Sequence, residues 1–414
     1  MIVIEKIKLH TNSAMAVSAH VTTPSTASPD PYRIFFPLGI VLGLAGVAVW
    51  PLFFFGIISG YWGISHAFIQ SDGFLFCFVA GFLLTAIPRF TGTQNPTIYS
   101  QLVLALLVVA GVVALELQVY SIGQTFFVSA YAMLLTLAIR RYLRRNGTLP
   151  ETFSLVGIAL FTGLLGAIIN ALGASGLVDS GWALAGKRSL TEGMMLMLVL
   201  GVGGFLGPRL LGFDKLPVVQ VSGIGAAKGR LLPESPRYLY LIAGLVLFLT
   251  IIGEYGFNIS WMSYVRAAVA TLVLAATVEP WRFPVARSTL SWCVWTANLL
   301  LLAGLWLVAF MPAYRIDMMH VMFIGGFTLL ILAVGMRVTL SHGGHGLASE
   351  LRNWPLRIAL ICGTIAMLAR AGAPFAPETY SRHLMYAALL WMLGLGIWGW
   401  RLVRLIAKRK QVSG

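Results

Sequence analysis

Charge is the scarcest commodity in this 414-residue chain, with Asp, Glu, Lys and Arg together making up 10% of it. An ordinary soluble domain carries about 25%. A soluble protein of this length needs more polar surface than that to cover its core. A disordered chain is poor in apolar residues, and here they reach 58%. Acid is scarcer than base: 14 Asp plus Glu stand against 29 Lys plus Arg, a formal +15. In a soluble protein that excess would point to nucleic acid. In a membrane protein it gathers in cytoplasmic loops, so no nucleic-acid partner is expected. Cysteine is nearly absent. Cys77, Cys293 and Cys362 stand apart in apolar runs, which excludes a disulfide framework and a CxxCH attachment of c-type haem. They are expected to pack as small buried hydrophobes.

What the chain has instead is long apolar runs. A membrane span takes about 20 mostly apolar residues, and twelve windows qualify, near 34–58, 67–88, 98–116, 119–139, 153–172, 190–210, 238–257, 261–279, 290–311, 318–338, 354–372 and 383–405. The expected fold is all-α: a polytopic membrane protein of about twelve helices whose partner is the lipid bilayer. Residues 1–30 read as a disordered cytoplasmic tail and 31–414 as one transmembrane helical domain. The longest gap, 211–237, is a Gly/Pro/Lys/Arg loop. The first apolar run is long enough to span, so no signal-peptide pattern is read.

The positive-inside rule sets an expected orientation. With the N-terminus cytoplasmic, 23 bases fall inside and five outside, namely Lys187, Arg188, Arg315, Arg370 and Arg382, while Arg266 lies within a span. Both termini are then cytoplasmic, as an even helix number requires.

Ionisable groups inside a membrane are functional candidates. On this topology His66, His320 and His383 open spans 2, 10 and 12 from the outer face. His342 and His345 follow span 10 on the other side. His320 and His342 are 22 residues apart, about 33 Å along a helix, so they cannot share a metal. A lone histidine at a helix end is ordinarily an interfacial polar tip. Several at one depth suggest a site, because neutral imidazole suits iron, copper and zinc.

A threefold repeat is also suggested. Span 2 runs from His66 to Arg89, span 6 from Glu192 to Arg209 and span 10 from His320 to Arg337, with openings 126 and 128 residues apart. Three units of four helices would put spans 2, 6 and 10 in equivalent inner positions. That plan is similar to the catalytic subunit of haem–copper oxidases, whose helices 2 and 10 supply two axial histidines. The resemblance stops at copper: span 6 opens with Glu192, span 7 has no histidine, and His320 is followed by Val321 and Met322.

Two segments resemble the NnrS family closely. The first runs from His66-Ala67 through Ala80-Gly81-Phe82-Leu83-Leu84-Thr85-Ala86-Ile87-Pro88 to Thr91-Gly92, like the family's HAHEM, AGFLLTA and TG. The second runs from His320 through Arg337-Val338-Thr339-Leu340-Ser341-His342-Gly343, like its HAL…ARVSLGHTG. The resemblance implies a twelve-helix bacterial membrane protein that contains haem and copper and serves the nitric oxide response. It implies a b-type haem held by His66 and His320, with His342 and His383 as further metal candidates. Nitric oxide or a metal–nitrosyl species would be the partner. The second histidine of HAHEM falls on Phe68 and its glutamate on Ile69, which argues against copper. No catalytic residue is assigned.

Other groups carry open expectations. Asp72 is expected to hydrogen-bond a histidine or cofactor, or to pair with Arg266. Glu116, Glu192, Glu254 and Asp317 sit at helix ends and read mostly as interfacial, and Arg315 as an exposed loop charge that suits a propionate. Trp391, Trp398 and Trp400 read as an interfacial belt. A competing class is a secondary transporter that uses Asp72 and Arg266.

Overall fold

A computed structural model describes residues 28–60, 63–213, 236–345 and 353–408. The expected tail over its first 27 residues and most of the expected 211–237 loop lie outside the described residues. Among the described residues there are helices and no strands. The twelve helices are α1 (Tyr32–Phe54), α2 (Gly63–Thr91), α3 (Ile98–Glu116), α4 (Tyr120–Leu143), α5 (Phe153–Ala174), α6 (Ser180–Leu211), α7 (Arg237–Gly256), α8 (Met262–Thr277), α9 (Thr289–Phe310), α10 (Pro312–His342), α11 (Trp354–Phe375) and α12 (Pro377–Ala407). Each falls on one of the expected windows. Eleven are long and apolar enough to cross a membrane; α8 is shorter.

Helix starts follow the local chemistry. Thr97, Asp179, Ser288 and Asn353 each accept a backbone N–H at the head of α3, α6, α9 and α11. These are the short polar residues that satisfy the first turn's unpaired donors. At the far ends of α2 and α6, Gly92 and Gly212 adopt left-handed φ of 67° and 82°, where glycine costs least.

Burial separates the helices into two groups. The most apolar stretch of α2 is 78% buried, and those of α6 and α10 are 72% buried; no other span exceeds 56%. These three are the inner helices, as the spacing of their end residues suggests. All three also carry a π-helical stretch at a matching depth: Ile69–Leu75 in α2, Ser189–Met194 in α6 and Val321–Thr328 in α10. A fourth, Ile252–Gly256, ends α7. A π turn uses i→i+5 bonds and fits an extra residue into the turn, and such turns are frequent at functional sites.

One hydrophobic core runs from Tyr32 to Leu405. The three cysteines are buried in the protein. Trp391 and Trp398 belong to this core, at 6% and 0% exposure, and only Trp400 stays half-exposed. The expected tryptophan belt on α12 is therefore corrected: two of its three rings face inward, because α12 packs along α1 and α11.

Candidate functional site

His66 and His320 line one cavity. It has a volume of about 350 Å³ and is walled by α1, α2, α6, α10, α11 and α12. Its surface is mostly apolar, with Trp50, Phe74, Met319, Phe323 and Trp391 among the lining residues. Pockets of a few hundred Å³ with a few placed polar groups are the usual form of a ligand site.

Each histidine is held by its Nδ1. His66 Nδ1 donates to the Gly46 carbonyl at 2.8 Å, and His320 Nδ1 donates to the Ile316 carbonyl one turn earlier at 2.7 Å. A carbonyl only accepts, so each ring carries its proton on Nδ1. Nε2 is left on both as a lone-pair nitrogen. That is how metal-ligating histidines are fixed: the second nitrogen donates to a carbonyl and sets the tautomer.

The Gly46 carbonyl is reachable because α1 lies against α2 there without a side chain between. A Cβ at Gly46 would come within 2.8 Å of Gln70 Nε2 and of Ile69 Cγ2. Gln70 itself donates to the Gly43 carbonyl at 2.9 Å. The π stretches begin directly after the cavity residues. Gln70, Ser71, Phe74 and Leu75 follow His66 into the wall, Thr191 follows Arg188, and Phe323, Ile324 and Thr328 follow His320.

The other histidines stand elsewhere. His383, near the start of α12, approaches the Ala369 carbonyl at 3.3 Å and does not line the cavity. His342 ends α10 at the opposite end of the bundle, 4.0 Å from Asp30 and edge-on to Tyr32. His345 meets the Leu405 carbonyl at 3.0 Å. The pairing of His66 with His320 thus leaves His342 and His383 apart. Among the described residues no group of three or more His, Cys, Asp or Glu is placed to hold a metal ion.

Beside the cavity lies an ionic cluster that the sequence reading missed. Arg266, on α8, pairs with Glu192 of α6 at 3.2 Å and with Glu254 of α7 at 2.6 Å. Arg315 pairs with Glu254, and Arg188 lies 3.5 Å from Glu192. Tyr255 donates to Glu192 at 2.9 Å, and Arg315 donates to the Tyr255 hydroxyl at 2.6 Å. Glu192 and Glu254 are therefore not interfacial, at 1% and 5% exposure. Both sit in π stretches, which turn them toward Arg266. Asp317 is buried too, paired with Arg370 and accepting from Tyr380 at 3.2 Å. Glu116 alone of the four stays exposed. Arg315 is no free loop charge, because its guanidinium is engaged with Glu254 and Tyr255.

Of the alternatives open for Asp72, the pair with Arg266 does not form. Asp72, fully buried, accepts from Ser71 at 2.8 Å and from Tyr131 of α4 at 3.0 Å. It faces away from the cavity, although its neighbour Ser71 lines it. A signal for the cluster was present: charged residues recur within apolar runs on α6, α7 and α8. It was masked because Glu192 and Glu254 stand near helix ends, where a carboxylate usually meets water.

The NnrS family, described as NnrS protein, matches residues 28–410. The chain belongs to the NnrS family. The match takes in all twelve helices and the His66–His320 cavity. No curated protein is found to be similar to this NnrS-family chain.

Proposed function

We propose that this NnrS-family protein is a haem-binding membrane protein that holds a b-type haem between His66 and His320 and serves the response to nitric oxide or nitrosative stress. One observation carries the haem reading: two histidines on different inner helices line one cavity, each with Nδ1 committed to a carbonyl and Nε2 left for a metal. The nitric oxide role rests on family membership. The residues suit the group. Trp50, Phe74 and Trp391 supply an apolar wall for a macrocycle, and Lys187, Arg188 and Arg370 line the cavity with positive charge. When bound, the haem would supply one-electron redox chemistry. With both imidazoles committed to holding it, the group would serve electron transfer rather than gas binding.

Copper is not part of this proposal. The position of the second family histidine is Phe68, whose ring lies 4.9 Å from the Lys187 ammonium. An aromatic ring under a cation offers a metal no lone pair.

The charge asymmetry of the sequence supports a bacterial inner-membrane protein with both termini cytoplasmic and the histidine cavity toward the outer face. The secondary-transporter reading would draw on Asp72 and Arg266, which bind different partners.

The test is a reduced-minus-oxidised spectrum of the protein purified in detergent after growth with ample haem. A sharp α-band is expected, and it should vanish in His66→Ala and in His320→Ala while His383→Ala retains it. A colourless wild-type protein would overturn the haem reading.

A further inference from the structure

We propose that Lys187 and Arg188, adjacent on α6, bind the paired carboxylates of the group held between His66 and His320. The proposal rests on the haem reading above and deepens it, since haem carries two propionates. Three observations converge on this pair.

Arg188 lines the cavity with unused donors. Among the described residues its Nη1 has only the Met319 thioether sulfur as a hydrogen-bond partner, at 3.0 Å. A thioether is a weak acceptor. Its buried Nε makes no hydrogen bond, although it lies 3.5 Å from Glu192. Glu192 is already engaged by Tyr255 and Arg266.

Lys187 lines the same cavity, and among the described residues its ammonium has no hydrogen-bond acceptor. It lies 4.9 Å from the Phe68 ring and feels the Asp72 carboxylate through space. The third cation of the wall, Arg370, differs because its charge is met by Asp317.

The charge balance of the region agrees. Arg188, Arg266 and Arg315 surround two carboxylates, Glu192 and Glu254. Asp72 takes its hydrogen bonds from the Ser71 and Tyr131 hydroxyls and acts on the Lys187 ammonium only through space. One positive charge is left over among the arginines, and among the described residues no carboxylate is in contact with the Lys187 ammonium. Buried charge without a close counter-ion is costly, and a dicarboxylate entering the cavity would give Lys187 and Arg188 a contacting carboxylate each. The guanidinium and the ammonium are also the groups that bind carboxylates through charge-assisted hydrogen bonds.

The test compares haem with its dimethyl ester, whose carboxylates are blocked. The full-length protein, produced without haem and solubilised in detergent, is titrated with each and followed by absorbance. Wild type should bind haem about a hundredfold more tightly than the ester, from two contacts of about tenfold each. Lys187→Gln/Arg188→Gln should bind haem and ester alike, at the wild-type affinity for the ester. Ester binding by the variant also shows that it is folded. Arg188→Lys should recover part of the preference. If wild type binds both porphyrins equally, the inference falls and the axial pair stands. A preference that persists in the double variant places the carboxylates elsewhere and also overturns it. If neither porphyrin binds, both readings fall. Nitrite and phosphate, added to wild type, should leave haem binding unchanged. If they instead compete with haem in wild type and not in the double variant, the pair serves a free oxyanion and the propionate assignment is wrong.

Discussion

Single side chains in this protein divide by what surrounds them. Arg266 is 1% exposed between Glu192 and Glu254, whereas Arg237 pairs with Glu151 with both side chains 45% exposed. Removing one member of a buried pair strands a charge. Arg266→Met should cost about 3–5 kcal/mol, seen as a large fall in the unfolding temperature of the detergent-solubilised protein. Arg237→Ala should cost under about 1 kcal/mol in the same measurement, because solvent screens an exposed pair. Equal losses would contradict the contrast in burial. The sequence revealed the histidines better than the carboxylates, for a physical reason. Imidazole is a ligand wherever it stands, so His66 and His320 could be singled out by residue type, depth and family motif. A glutamate becomes structural only when a cation faces it, and Glu192 and Arg266 are 74 residues apart in the chain.

At the scale of helices, close approach of backbones builds the cavity wall. Gly304 on α9 lies against the π stretch of α10, where a Cβ would come within 2.6 Å of the Met322 backbone nitrogen. Backbone cannot swing aside as a side chain can. Gly304→Ala should therefore destabilise by about 1–3 kcal/mol. Gly203→Ala on α6 is the control, since its Cβ meets nothing within 4 Å; there alanine should be neutral or stabilising by up to about 1 kcal/mol. Thermal unfolding of both variants in detergent checks the pair, and similar losses would show that the α9–α10 approach is looser than described. Gly46→Ala should act on the site itself. It forces α1 from α2, removes the carbonyl that fixes His66, and should lower haem content in the purified protein relative to Gly203→Ala. Helix number was legible in the sequence because twenty apolar residues admit few alternatives, whereas α6, α10 and α12 begin at Ser180, Pro312 and Pro377, ahead of their apolar windows. The π stretches were not, since they add a residue to a turn without changing composition. They are why Glu254 faces inward rather than toward the interface.

For the molecule as a whole, the uneven charge distribution makes a directional prediction. All three native cysteines are buried, so a thiol reagent that cannot cross membranes reports only on introduced sites. Asn146 and Ser175 are exposed in the loops before and after α5. In intact cells Ser175→Cys should react and Asn146→Cys should not, with the pattern reversed in inside-out vesicles. The opposite pattern would invert the proposed orientation and move the histidine cavity to the cytoplasmic side. The outer bases show how function hides in such a count. Lys187, Arg188 and Arg370 are exceptions to a charge rule in the sequence, yet the fold gathers all three at one cavity. The short α8 has a further effect, on the surrounding lipid. Its 16 residues reach about 24 Å, less than the roughly 30 Å of a bilayer's hydrocarbon core. Trp261 and Trp281, 58% and 55% exposed, bracket this helix, as anchoring indoles do at the headgroup level. The bilayer must thin beside α8 to keep both rings at its surfaces. The lipids there would be selected for shorter or more disordered tails, and the dimple they form would bring headgroups closer to the depth of Arg266.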